Sequence, residues 1–157
     1  MQPKQQRPHK HDWQNHLQAI KDLHDRNANP EAYRANGPNR GKWEDATANG
    51  LTKAIVDYLN YIGGNFTRIN VMGTPRKNGH GQLIFTPSTT KPGTADILGC
   101  YKSRYIAIEV KIGADRQSKE QIQEQKDVTA AGGIYIVAKD FPTFLSNFFY
   151  TVKIDPK

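Results

Sequence analysis

The chain has 157 residues and a formal net charge of +7, from 22 Lys and Arg against 15 Asp and Glu. This length suits one domain with a substantial core, since a chain of about 150 residues buries roughly 70% of its unfolded surface. Only 36% of the residues are apolar, and no run approaches the roughly 18 consecutive apolar residues of a membrane-spanning helix, which excludes a transmembrane protein.

The composition also indicates a compartment and a class of partner. Cys100 is the single cysteine, which excludes an internal disulfide and a Cys-rich zinc site and favours a reducing compartment. Met1 to Lys10 lack the apolar stretch of a signal peptide, so we expect a cytoplasmic protein. The sequence pI near 9.5 favours an anionic partner, and nucleic acid is the first candidate.

Residues 1–42 form a basic segment that we predict to be a partly flexible extension, followed by a single domain over residues 43–157. Within the extension, apolar residues at helical spacing predict one short amphipathic helix over residues 12–24, docked on the main body or on a partner. These residues are Trp13, Leu17, Ile20 and Leu23. Residues 26–41 are rich in turn-forming types, which predicts a loop.

The domain is predicted to begin with a helix over residues 46–62, because apolar residues recur on one face and a Gly pair then stops the pattern. A strand is predicted over residues 66–72. The next segment, residues 73–92, is rich in Gly, Pro, Asn and Thr and has no acidic residue, which predicts a loop with one short strand over residues 82–86. In and beside this loop lie Arg68, Arg76, Lys77 and Lys91.

Two clear strands follow, over residues 95–101 and 104–112. Only the polar pair Lys102-Ser103 separates them, which predicts an antiparallel hairpin.

The last part of the chain returns to helical patterns. A helix is predicted over residues 118–131, and the β-branched run at residues 134–138 is typical of a covered central strand. A final helix is predicted over residues 141–150, with Asp140 as its N-cap. From residue 46 onwards, the order helix, strand, strand, strand, helix, strand therefore predicts an α/β fold with a mixed central sheet flanked by helices.

The strand over residues 104–112 carries the side chains that point to chemistry. Because side chains alternate along a strand, Glu109 and Lys111 share one face and the apolar residues share the other. Asp96 stands at the start of the preceding strand. Pairing of the hairpin would therefore bring the carboxylates of Asp96 and Glu109 towards each other.

Two carboxylates at one point repel each other and resist ionisation unless a cation lies between them. Oxygen ligands of this kind suit Mg²⁺, so we predict that Asp96, Glu109 and the backbone carbonyl of Val110 hold this ion, and we expect Mn²⁺ to substitute. Such an ion stabilises charge developing on a phosphodiester, while Lys111 orients the attacking water or helps to deprotonate it. The predicted reaction is phosphodiester hydrolysis.

Each of these residues has a simpler interpretation when taken alone. Glu109 and Lys111 match an ordinary exposed ion pair, worth roughly 0 to 1 kcal/mol, and Asp96 is a common type of strand-end residue. Their combination beside a basic loop favours a catalytic site. For Gln121 two interpretations stay open: a site residue, or the partner of Ser118 in a capping box that stabilises the helix start by about 1 kcal/mol.

The combination resembles the PD-(D/E)XK nuclease superfamily, and most closely its virus-type replication-repair nuclease (VRR-NUC) branch, from about Ala48 to Asp140. The motifs that carry the resemblance are Gly93 to Gly99 for the family's Gly-x-Pro-Asp-hydrophobic-hydrophobic-Gly, Glu109 to Lys111 for its Glu-Val-Lys, and Ser118 to Gln121 for its Ser-x-x-Gln.

The resemblance implies a restriction-endonuclease-like αβββαβ core in which Asp96 and Glu109 hold the metal, Lys111 acts on water and Gln121 supports the site. It implies a Mg²⁺-dependent endonuclease acting on branched or structured DNA, such as Holliday junctions or repair and replication intermediates, as a homodimer without a small-molecule cofactor. It also implies a phage or bacterial source. The residues then predicted to bind DNA are Arg68, Arg76, Lys77 and Lys91.

The chain departs from the family pattern at two positions. Ala95 stands where the family has Pro before the first acid, a change that affects backbone shape and no chemistry. Many members have a first-helix Glu about where Ala48 or Asn49 falls, so the site uses Asn49, reaches back with Glu44, or has fewer carboxylates. The missing acid keeps open a non-catalytic nucleic-acid-binding or assembly module on a nuclease-like scaffold, and restriction-type sequence specificity is a third alternative.

Overall fold

The computed structural model of the chain describes residues 12–69, 74–86 and 90–152. The helices in these ranges are α1 (Asp12–Ala28), α2 (Pro30–Asn36), α3 (Ala48–Tyr61), α4 (Lys119–Ala130) and α5 (Phe141–Val152). The strands are β1 (Asn65–Arg68), β2 (Thr74–Lys77), β3 (Leu83–Thr86), β4 (Ile97–Tyr101), β5 (Arg104–Val110) and β6 (Ile134–Ala138). The protein is therefore mixed α/β, as predicted.

Four strands form an open mixed sheet in the order β1-β4-β5-β6. β1 and β5 both run antiparallel to β4, and β6 runs parallel to β5, so α4 is the connection between parallel neighbours. The succession α3, β1, β4, β5, α4, β6 confirms the predicted order of helices and strands. β2 and β3 lie between β1 and β4 in the chain and pair with each other in a separate hairpin.

The β4–β5 hairpin sets the register of the sheet centre. Lys102 and Ser103 have φ values of 46° and 62°, which match the two-residue turns whose twist suits a right-handed pair of strands. The turn aligns Ile97 with Ile108. The predicted antiparallel hairpin is confirmed, and its register decides which residues meet at the open end.

Two apolar clusters cover the two faces of the sheet. The larger lies between the sheet and helices α1, α3 and α5, and its strand members include Ile97, Ile108 and Ile136. The smaller consists of Ala95, Ala107 and Val128 of α4, with Leu98 and Tyr135 packed against it. The α4 face is thus lined by small residues and leaves room for polar groups near the end of β5.

The position of β6 differs from the prediction of a central strand. Among the described strands β6 lies at the edge of the sheet, paired with β5 alone. Its residues are nevertheless covered, because Ile134 and Ile136 face the larger cluster and Tyr135 faces the smaller one. The β-branched residues of β6 therefore indicate that helices cover both faces of the strand. They do not indicate that the strand lies at the centre of the sheet.

The N-terminal region is more helical than predicted. The predicted short helix extends to Ala28, and α2 replaces part of the predicted loop. The Asn29 side chain accepts a hydrogen bond from the Ala32 N–H at 3.2 Å and Pro30 follows as the first helical residue, a start signal that the turn-rich composition concealed. Residues 1–11 lie outside the described residues.

Helix α1 docks on the main body, one of the two arrangements the sequence left open. Trp13 and Leu17 belong to the larger apolar cluster, and the rings of Trp13 and Phe141 lie 4.6 Å apart. The segment predicted to be an extension therefore contributes to the core of the domain.

The other predicted elements are found with small shifts. α3 begins at Ala48 because Thr47 is its N-cap, and Thr143 N–H donates to Asp140 at 2.7 Å at the start of α5, as predicted. The strand predicted over residues 66–72 is observed as β1, and its residues 70–72 lie outside the described residues. β2 was missed because its Pro and basic residues resemble a loop. None of the described helices is both long and apolar enough to cross a bilayer.

Leu17→Ala is expected to lower the free energy of unfolding by about 2 to 5 kcal/mol, because it opens a cavity in the core. Leu23→Ala on the same helix is the control, since Leu23 is 55% exposed and should change stability by no more than about 0.5 kcal/mol. Urea denaturation of both variants checks this, and equal effects would show that α1 is not part of the core.

Candidate active site

Asp96 and Glu109 lie on the same face at the open end of the β4–β5 hairpin. Ile97 pairs with Ile108, so the next residues outward, Asp96 and Glu109, stand opposite each other across the two strands. Both belong to the face covered by α4, together with Ala107. The structure thus brings together the two acids on which the predicted site depends.

Backbone N–H groups of two other segments bind the side chain and the carbonyl of Asp96. Its Oδ2 accepts a hydrogen bond from the N–H of Val110 at 2.9 Å, and its carbonyl accepts one from the N–H of Ile69 at 2.7 Å. The N–H and C=O groups of one residue in a strand point towards the same neighbouring strand. The Val110 N–H points towards β4, so the Val110 carbonyl also points towards β4 and Asp96. This direction agrees with the predicted use of that carbonyl as a ligand.

Glu109 is the most unusual side chain of the site, because it is a carboxylate with only 1% of its surface exposed. Its Oε1 accepts from Gln121 Nε2 at 2.5 Å and lies 2.9 Å from Lys111 Nζ. Its Oε2 is buried and has no hydrogen-bond partner in the described structure. Burial raises the pKa of Glu109, the Lys111 ammonium opposes this and the nearby Asp96 charge adds to it.

Lys111 is buried beside Glu109, directly after the end of β5. Its ammonium lies 2.9 Å from Glu109 Oε1 and 3.4 Å from Asp115 Oδ2, and the residue is 9% exposed. Burial by itself would lower the pKa of Lys111, but Glu109 and Asp115 raise it above its usual value. Lys111 is therefore a fixed cation at the site.

Gln121 forms the predicted capping box and also contacts Glu109, so its role as a site residue stays a prediction. Its Oε1 accepts from the Ser118 N–H at 2.9 Å, and its N–H donates to the Ser118 hydroxyl at 3.3 Å, which completes a capping box. Its Nε2 is then directed to Glu109 Oε1. An amide can serve both partners because it carries an acceptor and a donor on one planar group.

Two glycines of the sequence motif allow the close packing around Asp96. Gly93 has a φ of +85°, and a Cβ there would lie 2.4 Å from the Glu120 carbonyl oxygen in the first turn of α4. Gly99 lies opposite Phe66, where a Cβ would come within 2.5 Å of the Phe66 ring. These contacts hold the loop before Asp96 against α4 and β4 against β1.

The residues considered as substitutes for a first-helix Glu have other partners. Glu44 accepts hydrogen bonds from the N–H groups of Ala46 and Thr47 at the start of α3. These bonds and the Thr47 hydroxyl lower the pKa of Glu44. Asn49 Oδ1 accepts from Arg68 at 2.7 Å. Neither side chain hydrogen-bonds to Asp96 or Glu109 in the described structure, so these two residues supply the carboxylates of the proposed metal position.

The basic residues predicted to bind DNA are not gathered in one place. Arg68 is exposed and bound to Asn49, on the sheet face that also carries Phe66 and lies opposite the two acids. Lys77 is exposed on β2, and Arg76 lies beside it in that strand. Lys91 is paired with Glu124 at 2.5 Å, which raises the pKa of Lys91.

Two residues near the site were missed in the sequence. Asp115 forms an ion pair with Lys111. The only sequence signal for this pair was the spacing of four residues between the two. Tyr135 of β6 stands opposite Ala107, on the same face as Glu109, and its buried hydroxyl has no hydrogen-bond partner in the described structure. Burial raises the pKa of Tyr135, and the Glu109 charge adds to this. The alternation of side chains along β6 could have placed Tyr135 on the same face as Glu109.

The oxygen ligands of the site fit a hard divalent cation that binds few protein atoms and keeps several water ligands. No group of three or more His, Cys, Asp and Glu side chains that could hold a metal ion occurs in residues 12–69, 74–86 and 90–152. What the site offers is oxygen: the carboxylates of Asp96 and Glu109 and the Val110 carbonyl, with Glu109 Oε2 still lacking a partner. Mg²⁺ commonly binds through one or two carboxylates and keeps several waters.

Comparison with known proteins adds no relative. No protein-family model matches the chain, and no curated protein matches it with significant sequence similarity.

Gln121→Ala is expected to destabilise the protein more than Ser118→Ala. Ser118→Ala removes the cap alone, at about 1 kcal/mol, whereas Gln121→Ala also removes a donor from the buried Glu109 carboxylate, at about 1.5 to 3 kcal/mol more. Urea denaturation measures both.

A double-mutant cycle isolates the Gln121–Glu109 contact. In a Glu109→Leu background the extra cost of Gln121→Ala should disappear, because no carboxylate remains to be bound. An unchanged cost in that background would show that Gln121 acts only as a cap.

Proposed function

We propose that this protein is a Mg²⁺-dependent endonuclease that hydrolyses DNA phosphodiester bonds, a member of the PD-(D/E)XK superfamily close to its VRR-NUC branch. The observation that carries the proposal is the buried Glu109 carboxylate, whose Oε2 lacks a partner while Asp96 stands opposite on the neighbouring strand. A buried acid is rarely left unsatisfied, and the usual missing partner is an ion or an ordered water; here the opposed Asp96 favours an ion.

The two acids have a common need that a cation would meet. Burial raises the pKa of Glu109 and the Asp96 charge adds to this, so ionising both carboxylates is unfavourable without further positive charge beside them. Asp96, Glu109 and the Val110 carbonyl would hold Mg²⁺. When bound, the ion supplies stabilisation of the charge developing on a phosphate and lowers the pKa of a water molecule.

The roles of the protein side chains follow from their contacts. Gln121 and Lys111 both bind Glu109 Oε1, which fixes the orientation of the carboxylate and turns its Oε2 away from them. Lys111 is held in its charged form by two carboxylates, so its expected role is to orient the attacking water and to neutralise the anionic phosphorus centre. Proton abstraction by Lys111 would first require loss of its own proton.

The order of elements supports the finer fold proposal. α3, β1, β4, β5, α4 and β6 follow one another as in the αβββαβ core of restriction-endonuclease-like proteins, and the acids stand at the β4 and β5 ends. The net charge of +7 agrees with a nucleic-acid substrate. By the resemblance, we propose branched or structured DNA as the substrate and a homodimer as the active form.

One observation favours a second candidate, a non-catalytic nucleic-acid-binding or assembly module on the same scaffold. Asn49 occupies the first-helix position of the resemblance and is bound to Arg68, so the described site lacks the third acid that many nucleases of this kind have. Two carboxylates with an unsatisfied oxygen still offer a cation site, which is why we place the enzyme first.

Asp96→Asn is expected to abolish cleavage, by at least about 100-fold, while keeping the fold, since an amide oxygen still accepts the Val110 N–H. Labelled branched and linear DNA is incubated with wild-type protein and the variant in Mg²⁺, in Mn²⁺ and then in EDTA. Glu31→Gln, at an exposed acid of α2, is the matched control and should cleave like the wild type.

The same proteins separate the two candidate functions. Binding without cleavage in either metal identifies the module, and discrete cuts in long linear duplex would identify restriction-type specificity. Metal-dependent cleavage that survives Asp96→Asn would contradict the proposed site.

Mg²⁺ is also expected to raise the Tm of the wild type and to leave the Tm of Asp96→Asn unchanged, because a ligand stabilises only the protein that binds it. Without metal, Asp96→Asn should be at least as stable as the wild type, since it removes repulsion from Glu109. Thermal unfolding with Mg²⁺ and with EDTA tests both statements, and an equal Mg²⁺ shift in the two proteins would place the ion elsewhere.

Lys111→Gln is expected to lower cleavage by about 100-fold or more while the Mg²⁺-dependent rise in Tm persists, because Lys111 is not a ligand. Lys102→Gln, in the β4–β5 turn at the far end of the strands, should leave cleavage unchanged. Loss of the Mg²⁺ response in Lys111→Gln would mean that this residue is needed to build the metal site itself.

A further inference from the structure

The hairpin of β2 and β3 has no sheet partner among the described strands. Its register places Lys77 opposite Leu83 and Arg76 opposite Ile84. Leu83 is 73% exposed and Ile84 is 46% exposed. Because successive side chains point to opposite faces of a strand, both faces of the hairpin present an uncovered apolar residue.

Such a hairpin is expected to have a partner. An isolated two-stranded hairpin is marginally stable in water, so this one would gain stability from contact with another molecule. The tip is nevertheless preformed, since the Asn78 N–H donates to the Gln82 carbonyl at 2.9 Å and Asn78 Oδ1 accepts from the N–H groups of His80 and Gln82.

The charge of this part of the chain identifies the kind of partner. No acidic residue occurs in the sequence between Asp57 and Asp96, so the hairpin and its connections carry positive charge only. Lys91 is matched by Glu124 and Asp127 of α4, whereas Lys77 is exposed on the hairpin itself. An acid-free, basic ribbon complements a polyanion.

Along the chain, the hairpin is inserted between β1 and Asp96. On one side the chain leaves from Ile69, whose N–H binds the carbonyl of Asp96. On the other side it returns through Lys91 and Thr94, which are joined by a hydrogen bond of 3.1 Å, and reaches Asp96 two residues later. The described chain before the hairpin therefore ends at a contact with Asp96, and the described chain after it leads into Asp96.

We propose that the β2–β3 hairpin is a DNA-binding arm that enters the major groove of the duplex beside the scissile phosphate. The major groove is about 12 Å wide and admits a two-stranded β-ribbon. Lys77 contacts a backbone phosphate, while Leu83, on the same face as Lys77, makes apolar contacts with base edges such as the thymine methyl group. This inference rests on the proposed function, because it assigns how that site receives its substrate.

Binding is tested in EDTA with full-length Asp96→Asn protein as the parent, so that no cleavage occurs. Fluorescence anisotropy with a labelled duplex is recorded over a series of salt concentrations. Lys77→Gln is expected to weaken binding and to reduce the slope of log K against log salt by about 1. Leu83→Ser is expected to weaken binding roughly fivefold or more with the slope unchanged.

Matched controls lie away from the hairpin. Lys102→Gln removes an exposed charge at the opposite end of β4, and Leu23→Ser removes an exposed apolar residue of α1. Both should bind like the parent, and all variants should keep its Tm. The proposed DNA-binding arm would be wrong if the hairpin variants bound DNA as tightly as the parent. It would also be wrong if the control variants weakened binding as much as the hairpin variants. A parent that does not bind duplex at any salt concentration overturns it as well.

The outcome is distinguishable from failure of the proposed function. If the wild type shows no metal-dependent cleavage but the hairpin variants still lose binding, the arm stands and the catalytic proposal fails. If cleavage occurs and the hairpin variants bind and cleave normally, the catalytic proposal stands and the arm fails. In that case, dimerisation that weakens in Leu83→Ser, measured by analytical ultracentrifugation, would reassign the hairpin to contact with a second copy of the chain.

Discussion

The placement of Glu109 is the constraint on which the rest of the site depends. A carboxylate that is almost completely buried is unfavourable unless its oxygens are satisfied, and here only one of them is. Gln121 and Lys111 both act on that oxygen. The fold therefore holds this carboxylate in one orientation and leaves its second oxygen without a partner in the described structure, at a cost in stability that the proposed cation would offset.

The surrounding fold is arranged to keep this geometry. The two-residue turn at Lys102 and Ser103 sets the register at one end of β4 and β5, and at the other end the same register brings Asp96 opposite Glu109. Gly93 lets the loop before Asp96 pack directly on the first turn of α4, which is the turn that presents Gln121. A larger residue at Gly93 would thus reach the acids through backbone position.

The distribution of charge shows why composition alone is a weak guide to a binding surface. Lys91 belongs to the acid-free segment of the sequence, yet the fold places it against Glu124 and Asp127. Arg68 lies on the face opposite the two acids and is bound to Asn49. The exposed Lys77 lies on a hairpin separate from the four-stranded sheet, so the surface charge depends on the topology as much as on the number of basic residues.

The sequence by itself determined the succession of helices and strands, the β4–β5 hairpin and the grouping of Asp96, Glu109 and Lys111, because hydrophobic periodicity and turn chemistry are local properties. The double role of Gln121 was predicted only as two alternatives, since its partners come from a strand and from its own helix. Tertiary structure alone decided that α1 joins the core, that β6 lies at an edge and that Lys91 is neutralised. It also decided that one carboxylate oxygen of Glu109 is buried without a hydrogen-bond partner in the described structure. Each of these depends on contacts between residues far apart in the chain, which no local pattern records.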